Sequence, residues 1–167
     1  MDYEIIALDI DGTLVNSQKQ ITDRTYDTLI NLQKSGKKVV LASGRPIQGI
    51  MPYAEKLKLS KYGGYVLAYN GGCVYDVAQD EKVFSKDFPL ECIPEICDII
   101  KDTGVTVNTY ENDLIISGNR INKYSYIERD IIKLDMKFVD DFASYVNFPI
   151  NKLLLAGEPE EIVALEK

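Results

Sequence analysis

The stretch IIALDIDGTL, residues 5–14, joins four apolar residues directly to two acids that stand two positions apart. Four consecutive apolar residues, Ile5 to Leu8, predict a strand buried on both faces of a parallel α/β sheet. Asp9 and Asp11 then lie at the carboxyl end of that strand, where open α/β sheets bind their ligands. Two neighbouring carboxylates repel each other and lose hydration if buried, so a cationic or protonated group is expected beside them. Mg²⁺ fits because it takes oxygen ligands and reaches phosphate substrates through one or two carboxylates.

Composition narrows the classes of protein that this chain can represent. Its 167 residues can bury one good core or two small ones. The formal net charge of −7 argues against binding to nucleic acid, which requires clustered Lys and Arg, whereas small anionic substrates are compatible with it. The absence of histidine excludes Ser-His-Asp and Cys-His catalysis within this chain. No apolar run approaches the ~18 residues of a membrane helix and the N-terminus has no targeting pattern, so we expect no membrane partner and a cytoplasmic location.

A second apolar run follows one predicted helix. Thr22 is a suitable cap for a helix over about residues 23–35, and Val39 to Ala42 then form a strand that ends in Ser43-Gly44-Arg45-Pro46. Strand, helix and strand predict a right-handed parallel unit. This topology brings Ser43 to the same edge of the sheet as Asp9.

The later part of the chain has a different pattern. A third strand at residues 65–69 is followed by Asn70-Gly71-Gly72, and from about residue 81 we predict a helix, paired strands, a helix, a strand and a last helix. This order is typical of an α+β domain. The predicted fold class is therefore α/β, with a parallel-sheet core over residues 1–80 and an α+β domain over residues 81–167.

The segment Asp9-Ile10-Asp11-Gly12-Thr13 resembles the first motif of the haloacid dehalogenase superfamily, and the domain order resembles its Cof-type branch (subfamily IIB). The resemblance implies that Asp9 is a nucleophile forming an aspartyl-phosphate and that Asp11 is the acid and base. It implies that Mg²⁺ is held by the Asp9 carboxylate and the Asp11 main-chain carbonyl. The Ile10 N–H would then face the phosphoryl oxygens, and the Thr13 hydroxyl would orient the nucleophile. From the residues alone, a solvated Asp-Gly turn is the alternative.

Two further segments resemble family motifs around the phosphate. Ser43-Gly44 resembles the second motif, in which Ser43 would bond the transferred phosphoryl group while Gly44 allows close approach of the backbone. From this segment alone a simple helix cap is an equal alternative for Ser43, but the first motif about thirty residues earlier favours the phosphate-binding role. Arg45 either steers phosphate or pairs with an acid on the surface. Asn70 begins an Asn-Gly-Gly that resembles a Cof-type segment at the mouth of the site, although Asn-Gly is also an ordinary turn.

The resemblance implies a Rossmann-like core with a partial cap that selects substrate. It also implies a Mg²⁺-dependent phosphatase of small phosphorylated metabolites, with sugar phosphates as the expected class. The family's third-motif Lys and its fourth motif, Gly-Asp-x-x-x-Asp, are absent, and we read Lys152 as a solvent-facing strand residue. We therefore expect an N-terminal fragment, or a chain that gains a missing C-terminal half or self-associates through an exposed edge at Ile5 to Leu8. Losing the third-motif Lys and the metal carboxylate of the fourth motif removes electrostatic stabilisation, so the chain could be nearly inactive alone. A non-catalytic binding or regulatory module and a phosphomutase are the alternatives.

Overall fold

The chain is divided into two compact units. A computed structural model of it describes residues 3–118 and 120–165, and the units are Met1–Lys86 and Asp87–Lys167. Among the described residues, no helix is both long and apolar enough to cross a membrane.

The first unit is built on a five-stranded sheet in the order β1-β2-β3-β4-β5. The first three strands are parallel, and the last two are antiparallel. Its elements in chain order are β1 (Ile5–Asp9), α1 (Asp23–Lys34), β2 (Lys38–Ala42), α2 (Ile47–Lys56), α3 (Leu59–Tyr62), β3 (Tyr65–Ala68), β4 (Cys73–Asp76) and β5 (Glu81–Ser85).

Helix α1 returns the chain so that β2 lies parallel to β1. The Thr22 side chain accepts a hydrogen bond from the Thr25 N–H at 3.3 Å, which caps the helix as its sequence predicts. Asp9 pairs in register with Ala42, so the loops that follow both strands leave from one edge of the sheet. Fully buried side chains form the hydrophobic core of this unit, including Ile10, Leu41, Ile50, Leu57 and Val66.

Strand β1 forms the free edge of this sheet. No strand among the described residues pairs with its outer side, and Ile5 is 62% exposed. The expectation of burial on both faces is therefore not met within the described residues, because a strand of this kind needs a neighbour on each side and layers on each face. The exposed apolar edge expected at Ile5 to Leu8 is present, although Ile6 and Leu8 are half-buried.

The second unit has a four-stranded sheet in the order β8-β7-β6-β9, in which only β7 and β8 are parallel. The predicted hairpin is confirmed by the antiparallel pair β6 and β7. Strand β8 (Asp135–Phe138) and helix α6 (Phe142–Tyr145) lie in a segment for which the sequence predicted no element. With the first unit, this sheet gives the predicted α/β class. The elements are α4 (Ile93–Ile100), β6 (Thr106–Glu111), β7 (Leu114–Ser117), α5 (Lys123–Ile132), β8 (Asp135–Phe138), α6 (Phe142–Tyr145), β9 (Leu154–Ala156) and α7 (Pro159–Leu165).

Two details differ from the sequence-based interpretation. Strand β5 lies beyond the predicted boundary at residue 80, yet it pairs with β4 and completes the first sheet. Lys152 stands two positions before β9 and is half-buried, so it faces solvent only in part and is not a residue of that strand. Burial lowers the pKa of Lys152, and the nearby Glu128 carboxylate opposes that shift.

Candidate active site

A tight turn presents the two acids at the end of β1. The buried Ile10 anchors this turn, because its carbonyl accepts hydrogen bonds from the N–H groups of Leu14 at 3.2 Å and Val15 at 3.1 Å. Gly12 sits at φ +80°, a backbone conformation that suits glycine. The chain therefore reverses at once, and both carboxylates remain at the surface of the unit.

Asp9 is the free member of the acidic pair. Its side chain is exposed at the last position of β1. Within residues 3–118 and 120–165, no hydrogen bond or ion pair engages its carboxylate. An unpartnered carboxylate at the end of a parallel strand is available to attack an electrophile or to bind a cation.

Asp11 is held by two cations. Arg45 donates from Nε to Oδ2 at 3.1 Å and from Nη2 to Oδ1 and Oδ2 at 3.0 and 2.9 Å, while Lys19 Nζ lies 2.6 Å from Oδ1. Partial burial raises the pKa of Asp11, but the hydrogen bonds and charges of Lys19 and Arg45 outweigh it and hold that pKa below its usual value. Asp11 is therefore ionised at neutral pH in the free chain.

Arg45 is the buried partner of this pair. Its side chain is only 8% exposed, its Nη1 lies 3.4 Å from the Gly49 carbonyl oxygen, and its guanidinium lies 5.7 Å from the centre of the Tyr53 ring. Gly49 and Tyr53 follow Arg45 at four-residue intervals on α2, so one face of that helix orients the guanidinium. Of the two roles expected for Arg45, the structure shows pairing with an acid.

Ser43 follows β2 and does not cap the next helix. The N-cap of α2 is Pro46, which makes no side-chain cap bond. The Ser43 Oγ instead accepts from the Arg45 N–H at 3.3 Å, and its main-chain N–H donates to the Leu67 carbonyl at 2.9 Å. Among the described residues its hydroxyl proton has no acceptor, so it can be donated to an anionic ligand.

Asn70 is tied to the Ser43 loop through the main chain. The Asn70 N–H donates to the Ser43 carbonyl at 3.2 Å, and the Tyr69 N–H donates to the Arg45 carbonyl at 3.0 Å. Both residues adopt left-handed conformations, at φ 54° for Tyr69 and 57° for Asn70. These bonds place the exposed Asn70 side chain beside the second motif.

The remaining predicted residues are less engaged. Thr13 is exposed, and in the described part of the chain no hydrogen bond joins its hydroxyl to Asp9. Gly44 is half-buried between Ser43 and Arg45. The fold thus unites Asp11 with Arg45 and the Ser43 loop with Asn70, whereas it does not join Thr13 to Asp9.

The oxygen donors of this edge suit an incomplete magnesium site. No cluster of three or more His, Cys, Asp or Glu side chains that could hold a metal occurs within residues 3–118 and 120–165. Asp9 offers a free carboxylate, and the Asp11 main chain offers a carbonyl. Mg²⁺ usually keeps several waters and combines one or two carboxylates with substrate phosphate, so this pair fits part of its coordination shell.

Sequence reasoning missed two residues that act on Asp11 directly or through Arg45, namely Lys19 and Tyr53. Lys19 is the only cation between the first motif and α1, which was an available signal. Tyr53 stands eight residues after Arg45, a spacing that returns to the same face of a helix. Neither spacing alone identifies the partner, because the contacts depend on how the strands pair.

Two substitutions of Asn70 test the role of its side-chain amide separately from the role of its backbone conformation. Asn70→Gly keeps the left-handed conformation, whereas Asn70→Ala adds a strain of roughly 1 kcal/mol. If the amide contacts substrate, we expect both variants to raise KM for a phosphomonoester by about threefold or more. Urea unfolding should show a loss of stability for Asn70→Ala alone. An unchanged KM in Asn70→Gly would remove the amide from the site.

Comparison with known proteins places this geometry in a family. A family model described as haloacid dehalogenase-like hydrolase matches residues 6–167. A solved haloacid dehalogenase-like hydrolase from Bacteroides thetaiotaomicron is 33% identical and superposes with a TM-score of 0.91 over 99% of this chain and 62% of its own. The Bacillus subtilis (strain 168) relative "Putative phosphatase YxeH" is 28% identical over 163 residues, 96% of this chain and 60% of that protein.

The chain belongs to the haloacid dehalogenase-like hydrolase family, as the resemblance of its first motif predicted. A further relative, the phosphoglycolate phosphatase of Picrophilus torridus, is 28% identical over 139 residues, 82% of this chain and 56% of that protein. This chain spans between 56% and 62% of the length of these three relatives.

Proposed function

We propose that this site hydrolyses small phosphomonoesters with Mg²⁺, and that sugar phosphates are the class of substrate. The observation that carries the proposal is the unequal environment of two neighbouring carboxylates. Asp9 is exposed and unpartnered among the described residues, whereas Asp11 is fixed by Arg45 and Lys19. Two acids with different environments can take different chemical roles.

In the first step, a carboxylate oxygen of Asp9 attacks phosphorus. The bond from phosphorus to the ester oxygen breaks. Asp11, which is ionised in the free chain, binds a proton from solvent together with the anionic substrate and gives that proton to the ester oxygen. The products of this step are the free alcohol and an aspartyl-phosphate on Asp9.

In the second step, the Asp11 carboxylate takes a proton from water. The water oxygen attacks phosphorus, the bond to Asp9 breaks, and inorganic phosphate leaves. Asp11 is ionised at this point because it gave up its proton in the first step, and the contacts with Arg45 and Lys19 stabilise the carboxylate.

The surrounding groups stabilise charge on the phosphoryl oxygens. The Ser43 hydroxyl has a proton to donate, and the Asn70 side chain lies on the adjoining loop. Mg²⁺, held by the Asp9 carboxylate and the Asp11 main-chain carbonyl, would neutralise phosphoryl charge as a Lewis acid. The named phosphatases among the relatives support a phosphomonoester substrate without selecting one compound.

Turnover of p-nitrophenyl phosphate by the 167-residue chain, with Mg²⁺ or with a chelator, tests the proposal. Nitrophenolate leaves without needing a proton, so this substrate does not depend on the acid role of Asp11. We expect Mg²⁺ to raise the rate by at least about tenfold, because neutralising phosphoryl charge is a large catalytic term. Equal rates with Mg²⁺ and chelator would contradict the proposal. Calorimetric binding of phosphate without turnover would instead identify a binding module.

A further inference from the structure

A structured turn between the first motif and α1 presents Lys19. The Asn16 side chain accepts hydrogen bonds from the N–H groups of Gln18 and Gln20, each at 3.0 Å. The main chain closes the same turn, since the Asn16 N–H donates to the Gln20 carbonyl at 3.0 Å and the Lys19 N–H donates to the Asn16 carbonyl at 2.9 Å. Four hydrogen bonds therefore define the backbone on both sides of Lys19.

This turn holds Lys19 in an unfavourable backbone conformation. Its φ is 58°, in the left-handed region that residues other than Gly, Asn and Asp rarely adopt. Leu14, Val15 and Ile21 are buried on either side of the turn, so both of its ends are anchored in the core. Because the turn holds this strained backbone in place, the Cα–Cβ bond of Lys19 has a fixed direction.

The Lys19 side chain extends to Asp11. Lys19 Nζ lies 2.6 Å from Asp11 Oδ1, the same oxygen that accepts from Arg45 Nη2 at 3.0 Å. The two cations differ in environment, because the Lys19 side chain is 57% exposed and that of Arg45 is 8% exposed. Lys19 thus holds the accessible side of a carboxylate whose other contacts are buried.

We propose that Lys19 is a positioning residue, which keeps the Asp11 carboxylate oriented for proton transfer by completing the contacts that Arg45 begins. This role rests on the proposed function of Asp11. Lys19 touches Asp11 and acts through it. The tight turn at Asn16 places the Lys19 ammonium group at that carboxylate.

Three variants test the role of Lys19 in the full chain. Lys19→Met removes the charge, Lys19→Arg retains it, and Lys58→Met is the matched control, because Lys58 is exposed and also left-handed at φ 57°. Two signals are followed in each variant. One is kcat and KM for a phosphomonoester with an alkyl leaving group, and the other is hydrogen exchange of the Arg45 Nε–H by NMR spectroscopy.

We expect Lys19→Met to lower kcat by about two- to fivefold with KM changed less than about twofold, the range of an ion pair whose two side chains are about half exposed. Lys19→Arg should recover at least half of that loss, and Lys58→Met should match the wild type. The Arg45 Nε–H should exchange about threefold faster or more in Lys19→Met, because a less restrained Asp11 releases its hydrogen bond more often.

The exchange measurement separates the two proposals. A wild-type chain without turnover would remove the proposed function, while faster Arg45 Nε–H exchange in Lys19→Met would still establish that Lys19 positions Asp11. Exchange equal to that of the wild type would overturn the role of Lys19, whatever the turnover shows.

Discussion

Asp9→Asn is expected to lower Mg²⁺-dependent turnover of p-nitrophenyl phosphate by about 10⁴-fold, the scale on which enzymes lose rate when a nucleophile is removed. The amide has the shape of the carboxylate but is a poor nucleophile and a weaker cation ligand. Because no hydrogen bond or ion pair among the described residues engages the Asp9 side chain, the substitution should leave stability unchanged within about 0.5 kcal/mol.

Asp27→Asn is the matched control for this experiment. Asp27 is an exposed acid on α1 in the same unit, so its substitution removes one negative charge without touching the strand end. Steady-state rates and urea unfolding curves should equal those of the wild type. Turnover in Asp9→Asn above about a tenth of the wild-type rate would mean that another group attacks phosphorus.

Asp11→Asn is expected to lower the free energy of unfolding by about 1–3 kcal/mol, because it leaves the buried Arg45 charge without its counterion. Arg45→Met should cost less, since it removes the buried charge and leaves Asp11, whose side chain is 41% exposed, hydrated and paired with Lys19. The double variant should be less destabilised than the sum of the two, with a coupling of about 1–2 kcal/mol after discounting for solvent.

Urea unfolding gives these free energies, and hydrogen exchange in β2 reports on the first unit separately. Arg129 and Asp130 provide a matched control, because their ion pair has the same 2.9 Å separation while both side chains are exposed. Arg129→Met should change stability by less than about 0.5 kcal/mol. Additive effects of Asp11→Asn and Arg45→Met would contradict the argument for a coupled pair.

The effect of Asp11→Asn should depend on pH. Burial raises the pKa of Asp11, but Lys19 and Arg45 together bring it below 3.8 in the folded chain. A lowered folded pKa gives stability that is complete above the unfolded value and is lost as pH falls through the folded value. The difference in the free energy of unfolding between Asp11→Asn and the wild type should therefore be largest at neutral pH and should diminish below pH 3.8.

Much of the fold could be predicted because its elements have strong local signals. The apolar runs before Asp9 and Ser43 become the parallel strands β1 and β2, and Thr22 caps the helix between them. Strand β8 has only a weak signal, because Asp135–Phe138 alternates polar and apolar residues over just four positions and is largely exposed. It is defined by its parallel pairing with β7, a contact between segments that the sequence alone does not reveal.

The candidate site shows the same division between local and long-range information. The motifs locate Asp9, Asp11 and Ser43, since Asp9 and Ser43 each follow directly on an apolar run and Asp11 stands two positions after Asp9. The pairing of Asp11 with Arg45 joins residues 34 positions apart and depends on the register of β1 against β2. The contact of Lys19 with Asp11 depends on a turn that one asparagine side chain stabilises. Composition and periodicity do not specify the geometry of such a turn.

The most direct test of the account is to trap the phosphoryl group on the enzyme. The Asp11→Asn variant, which cannot activate water, is mixed with p-nitrophenyl phosphate and Mg²⁺, quenched in acid and digested for peptide mass mapping. We expect one phosphoryl group to accumulate on Asp9 and to be absent from the variant that also carries Asp9→Asn. Nitrophenolate release without a phosphorylated Asp9 peptide, or a phosphoryl group on another residue, would contradict it.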